Sequence, residues 1–461
     1  MTAPDLPAPG LPVVPRPVVS PPEPWSFPMP AEHRTANGLR VLAYDMPGQY
    51  VISVRILVPV SLAEEPPELE GVTAMVGRLL DEGTARHTPE EFAELLERNG
   101  IALGSGVSEG GLSVDLDVPK RFLGTALDLL HQALAEPVFP EPEVRRILRS
   151  RLAEIEQERA SAPHRAAREL VATMYDPAER ASRPTSGSAR TIGAITREDI
   201  VARHASAVGP RGTTVVVAGD LDGLDVTALV EQTLGRWAAP GHVDPAPPSR
   251  PVAASDRARV VIVDRPGSVQ SEISVGLPGP DRHIPTGWAP YPVLAFVLGG
   301  SPNARVDSVL REDKGYTYGM RSAFRPRVAG GAFVTSGSVR AEVTGEALGL
   351  LLGILEGAVE GFEAEEVRAG VDYIEKTAPG RYATADAVAD EAASLALEDL
   401  PLDFPTTHLR RVAALTPEDL GAAYRSVVTP GEWSVVVVGD ASVIAEPIAA
   451  TGAGRPTVVP A

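Results

Sequence analysis

Arg311 and Tyr318 are the residues of this chain whose types and spacing point most directly to chemistry. A guanidinium keeps its charge and presents five donors in a fixed fork. A phenol adds a neutral O–H donor. Brought to one spot in a water-poor site, the two can hold the negative charge that develops on a reacting oxygen. They stand seven residues apart in the run Leu298 to Met320, LGGSPNARVDSVLREDKGYTYGM. On spacing alone, the same pair also reads as a surface arginine and a half-buried core tyrosine.

The run carries signals for the elements that would position them. It opens on Gly299 and Gly300. Val306, Val309 and Leu310 follow at helical spacing, giving a short helix with one apolar face. Pro302 suits a first helical turn, and Gly315 suits the left-handed residue past the last turn. Tyr316, Thr317 and Tyr318 are strand formers. The pattern therefore predicts Arg311 near a helix end and Tyr318 on the strand that leaves it, with a sharp turn bringing the two side chains together.

The 461 residues are enough for two or more domains, and a hydrophobic content of 44% supports full cores. Acidic residues outnumber basic ones, 61 to 42, for a net charge of −19. Such a chain repels phosphates, which argues against a nucleic-acid partner. The absence of cysteine removes disulfides and thiolate metal sites. No run approaches the ~18 apolar residues of a membrane span. The start, MTAPDLPAPGLPVVPRPVV, lacks a basic n-region and an apolar core, so the expectation is a cytoplasmic protein without a membrane partner.

Residues 1–31 read as a Pro-rich disordered tail, with Pro12, Pro15, Arg16 and Pro17 giving a faint peptide-ligand pattern. RVLAYDMPG from Arg40 and VISVRILVPV from Val51 read as strands. A helix near Leu69 to Leu80 is ended by Gly83. Thr88, Pro89 and Glu91 form a capping-box start, and Gly100 closes that helix. Leu112, Val114, Leu116 and Val118 alternate with polar residues, as on a half-buried strand. Long helices follow near 120–135 and 141–160. A Pro-rich linker at 238–257 separates a first domain at 32–237 from a second at 258–461.

These two domains repeat. ITREDIVARHASAVGPRGTTVVVAGD, ending at Asp220, aligns without gaps on LTPEDLGAAYRSVVTPGEWSVVVVGD, ending at Asp440. Thr196 and Thr416 are matched helix caps, and Asp199 and Asp419 are matched first-turn acids. Asp45, Pro47 and Gly48 correspond to Asp264, Pro266 and Gly267. The fold class is α+β, built from two copies of one unit, each a mixed sheet with long helices.

The Leu298 to Met320 run resembles the second-half signature of the pitrilysin/insulinase metallopeptidases, which include the mitochondrial processing peptidase. The matching residues are Gly299, Gly300, Leu310, Arg311, Glu312, Gly315 and Tyr318. The resemblance spans about residues 32–445 and implies two halves facing each other around a chamber. It further implies that Arg311 and Tyr318 bind substrate at the scissile bond, beside a glycine loop at Gly299 and Gly300.

The family's first-half zinc motif, His-x-x-Glu-His, is missing. By the resemblance its positions fall on Ala74, Gly77 and Arg78. Alanine has no donor atom, glycine no carboxylate to act as base, and arginine cannot lose its proton to ligate a cation. Glu154, in RSRLAEIEQE, matches the family's third ligand and reads as a solvated relic. The eight histidines, at 33, 87, 131, 164, 204, 242, 283 and 408, show no ligand spacing. No nucleophile elbow or phosphate loop is present.

The expectation is therefore a chain that holds no metal or cofactor and is inactive alone. It would be the zinc-less subunit of a heterodimeric metallopeptidase. The expected partners are a homologous subunit carrying zinc and a peptide substrate. The alternative, from another class, is an inert structural or peptide-binding scaffold of the same fold.

Overall fold

A computed structural model describes Ser20, residues 24–256 and residues 259–460. The tail pattern at Pro12 to Pro17 lies outside the described residues.

Two six-stranded mixed sheets organise the chain. The first holds β1 (Ala31–Arg34), β2 (Arg40–Asp45), β3 (Val51–Pro59), β4 (Ala102–Ser108), β5 (Gly111–Pro119) and β6 (Thr214–Gly219), in the order β1-β2-β6-β3-β5-β4. The second holds β7 (Val260–Asp264), β8 (Gln270–Gly279), β9 (Arg321–Pro326), β10 (Gly331–Arg340), β11 (Ser434–Gly439) and β12 (Pro456–Pro460), in the order β12-β7-β11-β8-β10-β9. Five strands correspond one to one: β2, β6, β3, β5 and β4 match β7, β11, β8, β10 and β9. The outermost strands differ, since β1 runs antiparallel to β2 and β12 parallel to β7.

The sequence repeat has a physical counterpart in one turn clamp built twice. In the first half, Asp220 accepts from the Gly48 amide at 2.8 Å, while Asp45 accepts from the Leu221 amide at 3.0 Å. In the second, Asp440 accepts from Gly267 at 2.7 Å and Asp264 from Ala441 at 3.0 Å. Each aspartate pins the turn beyond the neighbouring parallel strand. The caps repeat as well, with Thr196–Asp199 and Thr416–Asp419 both forming reciprocal capping boxes. Thr88 and Glu91 form another, opening helix Pro89–Arg98.

Alternation fixes the faces of the sheets. Leu112, Val114, Leu116 and Val118 are buried, toward the helices of their own half. The opposite face of each sheet is covered by a helix from the other half. Helix Ala162–Met174 follows the long helix Glu141–Ala160 and lays Ala166, Leu170 and Met174 on Val261, Val263, Val436 and Val438 of the second sheet. Helix Ala385–Leu397 returns the exchange, packing Val388, Ala389 and Ala392 on Leu42, Tyr44, Leu57, Val216 and Ala218 of the first sheet. Arg55 on β3 anchors that second helix through Asp390 at 2.6 Å, with Asp117 at 3.1 Å. Its guanidinium is almost fully buried, so these carboxylates are what make its burial tolerable.

Two expectations need correction. The first helix is shorter than its apolar pattern, running Val72–Arg78, with Leu79 and Leu80 buried beyond its end. The stretch read as a disordered tail is ordered at its end. Phe27 is buried between Tyr44 of the first half and Tyr382 of the second, and Trp25 stacks on Tyr382 at 5.4 Å. Proline content masked these two aromatic anchors. Residues 238–256 of the linker carry no helix or long strand, and they are tied down by amide bonds such as Ala246 to Glu64 and Ala254 to the Met174 carbonyl.

The exchanged helices should set stability. Leu170→Ala removes a fully buried side chain from the inter-half layer and should cost about 2–5 kcal/mol. Thermal unfolding followed by circular dichroism checks this. The exposed Arg410→Ala serves as the neutral reference.

Candidate functional site

The second-half run folds differently from the helix-then-strand pattern. Pro302 sits in a turn before the helix rather than in its first turn. The helix spans Arg305–Asp307 and then widens into a π-helical turn, Ser308–Asp313, which carries Arg311. Val306 and Leu310 are fully buried, while Val309 is only partly covered. Gly315 has φ of 62°, the left-handed value expected of it. Tyr316, Thr317 and Tyr318 form no strand, because β9 begins only at Arg321.

The cause is Asp307, a residue that pattern reading missed. Its buried carboxylate accepts from the Met320 amide at 2.8 Å and from Arg321 at 2.9 Å. Those bonds hold the end of the loop to the helix. At the other end, Glu346 accepts from the Tyr316 hydroxyl and from Lys314, both at 2.8 Å. Between these anchors Tyr318 stands 96% exposed. Arg311 also faces solvent, and among the described residues its one ion pair is with the neighbouring Glu312, at 3.4 Å. No hydrogen bond or ring contact joins Arg311 to Tyr318 among the described residues.

Gly299 and Gly300 end the turn Phe296–Gly300, behind β9. A Cβ at Gly299 would lie 2.8 Å from the Ser322 amide nitrogen, so the close approach of backbone to strand requires glycine there. Gly300 is exposed and borders a surface cavity of about 370 Å³ with Asn303 and Tyr373.

The first-half positions do converge. Arg78 donates to Glu154 at 2.8 Å, and Arg151 donates to the other carboxylate oxygen at 3.1 Å. Arg151 in turn grips Glu158 with two bonds, at 2.6 and 3.1 Å. Glu154 is therefore the centre of an ion-pair ladder and not the solvated relic the sequence suggested. The Arg78 hydrogen bond is the main reason its carboxyl is held below the ordinary glutamate range. Ala74 is buried and donorless. A Cβ at Gly77 would lie 2.9 Å from the Leu112 side chain and 3.2 Å from the Ser105 hydroxyl, so even the first carbon of a carboxylate side chain has little room.

These residues do not fit zinc. The guanidinium of Arg78 supplies the positive charge beside Glu154 and leaves no lone pair for a metal. Among the described residues no group of three or more His, Asp or Glu side chains is placed to hold a metal ion. No helix among them is long and apolar enough to cross a membrane.

Comparison with known proteins bears on this arrangement. Residues 40–186 match the model for insulinase (peptidase family M16), and residues 194–372 match the model for the peptidase M16 inactive domain. The chain belongs to peptidase family M16. An uncharacterized zinc protease of Mycobacterium tuberculosis is 24% identical over 304 residues, covering 66% of this chain and 69% of that relative. The non-peptidase homolog YmxG of Helicobacter pylori is 23% identical over 255 residues, covering 54% and 56%. The crystal structure of a peptidase M16 inactive domain from Pseudomonas fluorescens shares the fold, with a TM-score of 0.81 at 23% identity over 89% of this chain and 98% of that one.

The ion-pair ladder predicts a titration. Glu154 should titrate below the ordinary glutamate value of 4.5. A lowered folded pKa means that its stabilising contribution is complete above the unfolded value and is lost as the pH falls through the folded one. Arg78→Ala should move the Glu154 titration upward. Carbon-detected NMR of the glutamate side chains measures both.

Proposed function

We propose that this M16 chain is the zinc-less subunit of a two-chain peptidase and lends Arg311 and Tyr318 to its partner's site. One observation carries this reading. Arg78 and Glu154, where the resemblance would place metal ligands, are bonded to each other, while Tyr318 is held almost fully exposed on a loop anchored at both ends. A large aromatic ring presented this way buries nothing in its own chain and suits a site completed by another surface.

In this reading Arg311 and Tyr318 face a peptide carbonyl in the partner's cleft. The phenol donates its proton's hydrogen bond to the carbonyl oxygen, and the guanidinium adds a fixed charge as that oxygen becomes negative. The partner's zinc would supply the activated water. Asp307 and Glu346 act as positioning residues, since they set the loop without touching substrate. The substrate backbone lies as an added strand on a sheet edge of the partner. The partner is a homologous chain that carries His-x-x-Glu-His.

A scaffold reading draws support from the same ladder, because a sealed metal site serves an inert protein equally well. Kinetics separate the two. Tyr318→Phe or Arg311→Ala should lower turnover of the reconstituted pair by ~10²-fold, the usual loss for an oxyanion donor. Both side chains are exposed, so the fold should be unchanged. Peptide cleavage by each chain alone and by the mixture provides the measurement, and unaltered turnover in both variants leaves only the scaffold.

A further inference from the structure

A cavity of about 340 Å³ opens in the first half, with Arg327 of the second half on its wall, and its lining contradicts the charge of the whole chain. The chain carries −19, yet the cavity is lined by six arginines against two glutamates. The arginines come from three places: Arg151 and Arg159 from helix Glu141–Ala160, Arg165 and Arg168 from the exchanged helix Ala162–Met174, and Arg183 and Arg327 from flanking loops. Ile155, Val171 and Pro184 complete the wall.

Most of these cations are already engaged. Arg151 holds Glu154 and Glu158, Arg165 holds Glu169 at 2.5 Å, Arg183 holds Glu70 at 2.8 Å, and Arg327 pairs with Glu109 across the gap between the halves. Arg168 has no carboxylate within salt-bridge distance among the described residues. Partial desolvation, and then the charge of Arg165, push its guanidinium below the usual range, against the opposing charges of Glu169 and Glu158. Arg168 is exposed at the cavity and lies among several cations with no carboxylate in direct contact, so its guanidinium is free to receive an anion from solution. The cavity also lies one helical turn from Glu154, because Arg151 and Glu158 flank that residue on the same helix face.

We infer that this cavity binds the carboxylates of an acidic peptide segment, with Arg168 as the principal receptor. The apolar wall favours a peptide over a bare inorganic ion, since Ile155, Val171 and Pro184 offer nothing to a fully hydrated anion. This assignment rests on the proposed reading of the chain as half of a peptide-handling pair, and it names the chemistry of the peptide that this cavity takes.

The test uses the full-length chain alone, so its outcome is independent of any partner's turnover. Fluorescein-labelled hexaglutamate is titrated by anisotropy, with labelled hexalysine and inorganic phosphate as comparators. Saturable binding of hexaglutamate is expected, without binding of hexalysine. Arg168→Glu should weaken it by about tenfold or more, the scale of a lost charged hydrogen bond. Arg410→Glu, the same charge change at an exposed site on another helix, should alter it by less than about twofold. Absence of saturable binding overturns the assignment. Equal weakening by both variants, or displacement of the peptide by phosphate at a lower concentration than by unlabelled hexaglutamate, overturns it too.

Discussion

Each sheet of this molecule has an apolar face that its own half leaves uncovered. The rest of the architecture follows from how that is resolved. Val436 and Val438 are buried by Leu170 and Met174, which arrive from the first half. Leu42, Tyr44 and Val216 are buried by Val388 and Ala392, which arrive from the second. Burying such side chains contributes about 1.5–3 kcal/mol each. The exchange makes the two halves one cooperative body and fixes the cleft between them. It also explains the placement of charge. Arg55 and Asp390 meet because the exchanged helix brings them together, and the arginines of helix Ala162–Met174 line the cavity because its other side rests on a sheet.

The first half is ordered around an ion pair rather than a metal-ligand cluster. A guanidinium supplies the positive charge beside Glu154. A carboxylate stripped of its counter-charge would be costly where it is partly enclosed. Arg78 supplies that counter-charge, donating to Glu154 at 2.8 Å. The second half keeps its protruding loop under tight control, through Asp307 at one end and Glu346 at the other.

Local physics made much of the fold readable from the chain. The capping boxes at Thr88, Thr196 and Thr416 are short-range hydrogen-bond patterns and appear where the residues announce them. The alternation from Leu112 to Val118 gave a strand and its buried face. The repeat at an offset of 220 announced two copies of one unit, and the Asp45 and Asp220 clamps show what the repeat preserves. Contacts between distant segments stayed hidden. An apolar helix stripe says that it is buried, not on which sheet, so the exchange was invisible. The Arg78–Glu154 pair spans 76 residues and could not be seen as a pair. Tyr318 read as strand because propensity outweighed a capture of the Met320 amide that only Asp307's placement reveals. Trp25 and Phe27 were hidden inside a proline-rich composition.

Those two aromatics have a mechanical consequence. Phe27 wedges between Tyr44 and Tyr382, residues of opposite halves, and its amide donates to Thr406 at 2.9 Å. Any clamshell motion that widened the cleft would have to extract this ring into water and unstack Trp25 at the same time. The amino-terminal segment thus works as a clasp, because one ring and one amide tie both halves together at the same edge.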